Sequence, residues 1–420
     1  MIFSRTALAA TALAAVAWAH TAMAQPFTVA VIPDTQNYTD YKQQKAEGFP
    51  IESSELFLEQ MRYIAGRARS RGGDIVFALN VGDMRQHFSV DMDADHKARG
   101  FKRIENEAAS YYDRPVPQAR TVELPLVVQG YKMLDGVVPF SVVPGNHDYD
   151  AMWTDARHPP DAKFGGFRGS GMIHFTGLED FNSAFSPQSS FFKGKPWYIG
   201  ASPEGGDSAQ IFEAGGYRFL QIGLQFEPTD ASLAWAQSVI DSHPGLPTIV
   251  STHHFLAPNG KWGDRYFDDP ERNYPPSIWD KFIRKNDQVF LVLSGHRTIQ
   301  AFRQDPNAAG HRVYQILSDY QDRRQVLKDK AGDKGVGLGD GWMRLLQFDL
   351  DADKPSLRVR TYSTYYKAFS TDLPQYAEWY RPRERPTFLD EEFWAEDDFT
   401  IALDDFRQRF GAPSRRDGAR

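Results

Sequence analysis

No cysteine occurs among the 420 residues. That excludes disulfide cross-links and every reaction that runs through a thiolate. Beyond the first 24 residues, no run is long and apolar enough to span a bilayer. Positive charge is not in excess either: 48 Lys and Arg against 55 Asp and Glu leave a net charge of −7. No broad basic surface is evident, so a nucleic-acid partner is not indicated. Internal repeats and low-complexity linkers are also missing. What remains is an ordinary globular composition, 41% hydrophobic and 25% charged, long enough to bury a substantial core.

The N-terminal stretch "MIFSRTALAATALAAVAWAHTAMAQ" has a short basic start at Arg5, an apolar segment from Ala7 to Ala19, and the small-residue site Ala22-Met23-Ala24. It reads as a signal peptide over residues 1–24, with cleavage between Ala24 and Gln25 and export to the periplasm or the medium. Residues 25–375 are expected to form one domain. Residues 376–420 are expected to be an acidic, aromatic C-terminal extension whose basic tail "RRDGAR" is disordered.

Short apolar runs recur along the chain. "FTVAVI" (27–32), "DIVFALNV" (74–81) and "VVPFSVV" (137–143) predict strands buried on both faces. A hairpin is expected over 208–226 with Gly215-Gly216 at its turn, followed by strands at 247–251, 288–294, 312–318, 342–350 and 357–363. Helical periodicity marks "SELFLEQMRYIAGRARSRG", "ASLAWAQSVIDSH" and "SIWDKFIRK". The pattern predicts an α/β fold, with one mixed sheet or two sheets packed face to face and helices outside. Two long polar segments, 84–136 and 149–190, read as loops that wall a substrate site.

Polar residues cluster just after five of these runs. They are Asp34 and Gln36 in "PDTQ", Asp83 in "GD", Asn146, His147 and Asp148 in "PGNHD", His253 and His254 in "THH", and His296 in "SGHRT". Singly, each reads as a turn residue or a helix cap. Together they put hard oxygen donors and imidazole nitrogen on the carboxyl edge of a sheet, where ligands bind in open α/β folds. The donor mixture suits Mn, Fe, Zn or Mg.

This series resembles the calcineurin-like metallophosphoesterase superfamily, whose pattern is D-x-H, G-D, G-N-H-[DE], a strand ending in His, and G-H-x-H. The resemblance spans about residues 27–320, and "GD" followed by "GNHD" is its most specific part. It implies a four-layer sandwich of two mixed sheets flanked by helices, one or two divalent metal ions, and a small phosphorylated substrate. By the resemblance, Asp83 bridges two metals, Asn146, His253 and His296 complete the second site, and Asp34 belongs to the first. His147 then faces the substrate as proton donor to the leaving group, with Asp148 orienting its ring. His254 lies beside the site as a group supporting the ligands or as a phosphate contact, and remains the alternative to His253 as the ligand; Asn146 and Arg297 are further candidates to contact the substrate. The implied reaction is hydrolysis of a phosphoric monoester or diester by metal-bound water or hydroxide, its pKa lowered by the cations.

Two family positions depart from the pattern: D-x-H is Asp34-Thr35-Gln36, and G-H-x-H is Gly295-His296-Arg297-Thr298. Both missing histidines belong to the first site, which keeps Asp34 and Asp83 with the Gln36 amide and the Thr298 hydroxyl as remaining candidates. Either that site takes a harder cation such as Mg, Mn or Ca, or it is empty and Arg297 supplies the positive charge. "GDMRQ" lacks the tyrosine of purple acid phosphatases, which excludes that subgroup. "LSDYQDR" (317–323) also follows a strand, and Asp319, Tyr320 and Gln321 read there as a turn or structural network with no assigned role. Two other functions stay open: a non-catalytic phosphate- or ligand-binding protein on the same scaffold, and a metal-dependent hydrolase of a non-phosphate ester.

Overall fold

Alternate side chains of the strand Phe27–Ile32 serve two different cores. Val29 and Val31 point into a layer shared with Phe212, Phe219, Leu291 and Ile316 of a second sheet. Ala30 and Ile32 point the other way, onto Phe57, Met61 and Ile64 of the helix Ser54–Gly66. Strands apolar at nearly every position follow from this double burial. The second sheet repeats the arrangement. Ile249 and Leu293 face the shared layer, whereas Val250 and Val292 meet Leu233, Ala236 and Ile240 of the helix Asp230–Ser242.

A computed structural model describes residues 25–106, 114–161, 169, 171–265 and 269–414. Among these, two seven-stranded mixed sheets pack face to face between helices. The first runs Ala368–Phe369, Ser356–Ser363, Trp342–Asp349, Phe27–Ile32, Ile75–Asn80, Phe140–Ser141, with Asp398–Ala402 also pairing to Ser356–Ser363. The second runs Ile299–Pro306, Arg312–Asp319, Val289–Ser294, Thr248–Thr252, Tyr217–Leu224, Ser208–Ala214, Tyr198–Ala201. Three strands of the first sheet are mutually parallel at its end, and four of the second are parallel at its centre. The expected four-layer α/β architecture is therefore present.

The differences are instructive. Only Phe140–Ser141 of the 137–143 run pairs as a strand. The segment 84–136, expected as a polar loop, contains the helix Leu124–Lys132, whose Val127 and Tyr131 are buried in the first core. Likewise 149–190 holds the strands Ala151–Asp155 and Ile173–Thr176 of a small third sheet. The stretch after residue 375 is not an appendage where it is described. Asp398–Ala402 joins the first sheet, and Ile401, Leu403 and Phe406 are buried between the two sheets. The proposed signal peptide and the "RRDGAR" tail lie outside the described residues.

Candidate metal centre

Parallel strands bring their carboxyl ends to one edge, and here the edges of the two sheets meet. Asp34 and Asp83 arrive from the first sheet, His253 and His296 from the second. Cross-sheet hydrogen bonds fix the seam. His253 Nδ1 donates to the carbonyl of Val81 at 2.7 Å, and the amide of His296 donates to Asp34 Oδ2 at 2.9 Å.

The first of these bonds determines the chemistry of His253. With its proton on Nδ1, the ring presents a lone pair at Nε2, the form in which imidazole binds metal. Three donor atoms surround that nitrogen: Asp83 Oδ2 at 3.1 Å, Asn146 Oδ1 at 3.1 Å and His296 Nδ1 at 3.2 Å. All four residues belong to the expected set for one cation. Phe226 packs against the rings of His253, His254 and His296, an apolar floor beneath the imidazoles.

Backbone geometry shows how closely these groups are held. Asp83 and His296 adopt positive φ, 51° and 68°, a cost tolerated where surrounding contacts over-determine the conformation. A Cβ on Gly82 would lie 2.5 Å from His253 Nδ1, and one on Gly145 would lie 2.2 Å from Asp83 Oδ1. The glycines of "GD" and "PGNHD" are thus required by contact.

Burial and mutual charge set the protonation of the cluster. Burial raises the Asp83 carboxyl, but His253 and His147 outweigh it and hold it below the ordinary value. Burial lowers the His253 imidazole, and the Asp83 carboxylate more than offsets that. Burial, then the neighbouring His253 and His254, keep His296 well below the usual imidazole range. Burial, with Asp319 and Asp83 adding repulsion, drives Asp34 well above the carboxylate range. Freed of their protons, these buried carboxyl and imidazole groups form a donor set suited to a divalent cation.

His147 lies at the rim, 8% exposed. Its amide donates to Asp83 Oδ1 at 2.9 Å, and its Nδ1 to the carbonyl of Gln86 at 2.7 Å. The orienting acceptor is therefore a backbone oxygen, a correction to the role expected of Asp148. Asp148 instead accepts from the amides of Met84, Arg85 and Gly145, tying the "GD" loop to the "GNHD" loop. His254 does not join the ring of donors around His253 Nε2; its Nδ1 lies 3.1 Å from Glu227 Oε1. Arg297 is close enough for its charge to help depress the protonation of both His254 and His296.

Gln36 meets Asp83 at the same carboxylate oxygen that faces His253. Its Nε2 is 3.3 Å from Asp83 Oδ2 and also contacts Gln321 Oε1. Thr298 lies apart from these contacts and lines a cleft of about 620 Å³ with Asp319, Arg324, Lys328, Trp379 and Arg383. Asp319 and Gln321, left without a role by the sequence, are the additions the structure makes. Asp319 ends the strand Arg312–Asp319 in the same manner as the other site residues end theirs. That shared position was the available signal.

A family model for calcineurin-like phosphoesterases matches residues 27–298. Over 239 residues the chain is 28% identical to the uncharacterized protein YvnB of Bacillus subtilis (strain 168). The aligned stretch is 55% of this chain and 15% of YvnB, so the chain spans only a small part of that relative. Among solved structures, GAP50, the anchor in the inner membrane complex of Plasmodium, is similar at 10% identity and a TM-score of 0.35, over 82% of this chain and 86% of that one. With well over half of its length matched by the family model and the donors of that family's pattern gathered at one sheet edge, the chain belongs to the calcineurin-like phosphoesterase family.

Proposed function

We propose that the protein is a metal-dependent hydrolase of phosphoric esters, with a divalent cation held by Asp83, Asn146, His253 and His296. The observation that carries this reading is the convergence of three donor atoms within 3.2 Å of His253 Nε2. A bound cation would lower the pKa of a water molecule and neutralise charge on the phosphoryl group. The chain's own residues supply the rest. Asp83 is oriented by the His147 amide at one carboxylate oxygen, leaving the other directed at the donors. With its Nδ1–H committed to Gln86, His147 can pass a proton only through Nε2, to the alkoxide that leaves. Arg297 lies close enough to His254 and His296 to act on their protonation, and its guanidinium is the charge available to phosphoryl oxygens. The cleft beside Thr298 and Asp319 is of a size to take the part of a substrate that does not react.

The test is turnover of p-nitrophenyl phosphate and bis-p-nitrophenyl phosphate by protein reconstituted with Mn. Hydrolysis of one over the other assigns monoester or diester preference. Phosphate binding with no turnover of either would favour a binding protein, and hydrolysis of p-nitrophenyl acetate alone a non-phosphate esterase.

A further inference from the structure

Asp319 and Gln321 come from the second sheet, and Asp34, Gln36 and Asp83 from the first. Contacts link four of them in series, and Asp34 stands beside them. Gln36 touches Asp83 and Gln321, and Gln321 donates to both oxygens of Asp319, from its amide at 3.0 Å and its Nε2 at 3.1 Å. Asp34 lies within electrostatic reach of both Asp319 and Asp83. The three carboxylates are almost wholly buried: Asp34 and Asp83 at 2% exposure, Asp319 at 0%. Among the described residues, two oxygens of this group have no hydrogen-bond partner, Asp34 Oδ1 and Gln36 Oε1. Burying an acceptor without a partner is costly, and burying three carboxylates together is more so.

We propose that Asp319 and Gln321 replace the two imidazoles missing from the family's first metal position, so that an oxygen-only site for a second divalent cation is built from Asp34, Gln36, Asp319 and Gln321 and shares Asp83 with the first. The inference rests on the reading of Asp83, Asn146, His253 and His296 as ligands of the neighbouring cation. A half-turn of the Gln36 amide exchanges its nitrogen and oxygen in nearly the same space. It then presents Oε1 to the region between Asp83 Oδ2 and Gln321 Oε1, where a cation gathers three oxygens that otherwise repel. Carboxylate and amide oxygens with no nitrogen select a hard ion, Mn or Mg over Zn. The competing account is a proton shared between Asp34 and Asp319, with Arg297 as the positive charge and no second ion.

Titration of the full chain with Mn, followed by electron paramagnetic resonance and equilibrium dialysis, separates the two. Two equivalents are expected, one tight and one weaker. Asp319→Asn and Gln321→Leu should each weaken the second equivalent by at least ~10-fold while leaving the first in place. Gln321 is only partly buried, so its replacement should be tolerated by the fold. His253→Ala should do the converse, losing the tight equivalent first. A single equivalent up to millimolar Mn overturns the proposal, as does a second equivalent bound normally by both variants. Turnover of bis-p-nitrophenyl phosphate in the same samples keeps the two readings apart. Two equivalents without turnover would sink the hydrolase reading and leave this site standing; one equivalent with turnover would do the reverse.

Discussion

His147 and His253 share one device: each donates its Nδ1 proton to a backbone carbonyl, Gln86 or Val81, and so keeps Nε2 for other work. Their surroundings then divide the labour. Nε2 of His253 faces three donors at 3.1 to 3.2 Å, whereas His147 sits at the rim with its amide on Asp83. His253→Ala and Asp83→Asn are therefore expected to lose metal and activity together. His147→Ala is expected to retain metal and to lower the turnover number by ~10²–10⁴. Metal analysis alongside kinetics checks this, and a metal-free His147→Ala protein would remove His147 from the proton-donor role. The sequence marked these residues but could not assign their partners. Asp148 follows His147 directly, yet its side chain turns back onto the amides of Met84 and Arg85. Adjacency in sequence does not fix the direction of a side chain when the backbone turns within three residues.

At the scale of elements, legibility tracks how local the determinant is. The strands 27–32 and 289–294 are evident because double burial leaves a nearly unbroken apolar run. The helix Leu124–Lys132, "LPLVVQGYK", is not, since proline, two valines and a glycine give it poor intrinsic propensity. Packing overrides that: a Cβ on Gly130 would lie 2.3 Å from the Phe57 ring, so the glycine permits close approach to the helix Ser54–Gly66. The strand Asp398–Ala402 was missed because its pairing partner lies some forty residues earlier. Just beyond it, Phe406 is 1% exposed and packs on Tyr217 and Phe290 with centroids 5.2 Å away. Phe406→Ala should cost about 3–5 kcal/mol in chemical denaturation without changing turnover at low temperature; a loss under 1 kcal/mol, a marginal effect for a buried aromatic, would show that the C-terminal stretch is dispensable to the core.

The loop between the helix Gln325–Ala331 and the strand Trp342–Asp349 carries a pH dependence. Asp340 accepts from the amides of Gln325 and Val326 and from the Tyr380 hydroxyl, yet burial pushes its carboxyl from 3.8 up to about 6. The native state thus holds this proton more tightly than the unfolded chain. The group's contribution to stability is greatest below 3.8, falls as pH rises to about 6, and is level beyond. Asp340→Asn should remove that decline, so the stability difference between variant and parent should slope across this window and flatten above it. A difference constant with pH would contradict the assignment.

For the molecule as a whole, the site is a seam between two sheets that concentrates buried carboxylates, Asp34, Asp83 and Asp319. A cation that binds the folded state alone stabilises it by about 2.7 kcal/mol at a hundred times its dissociation constant. Chelation should therefore lower the melting temperature, and Mn should restore it; indifference to both would mean that the carboxylates are satisfied by protons. The sequence by itself determined which residue types stand at the strand ends, and with them the family, because parallel strands always deliver their carboxyl ends to a common edge; it left open whether His253 or His254 joins the donors. It could not decide which second-sheet residues would stand opposite Gln36. Asp319 and Gln321 lie more than 280 residues from it in the chain, and only the packing of one sheet on the other brings their side chains together.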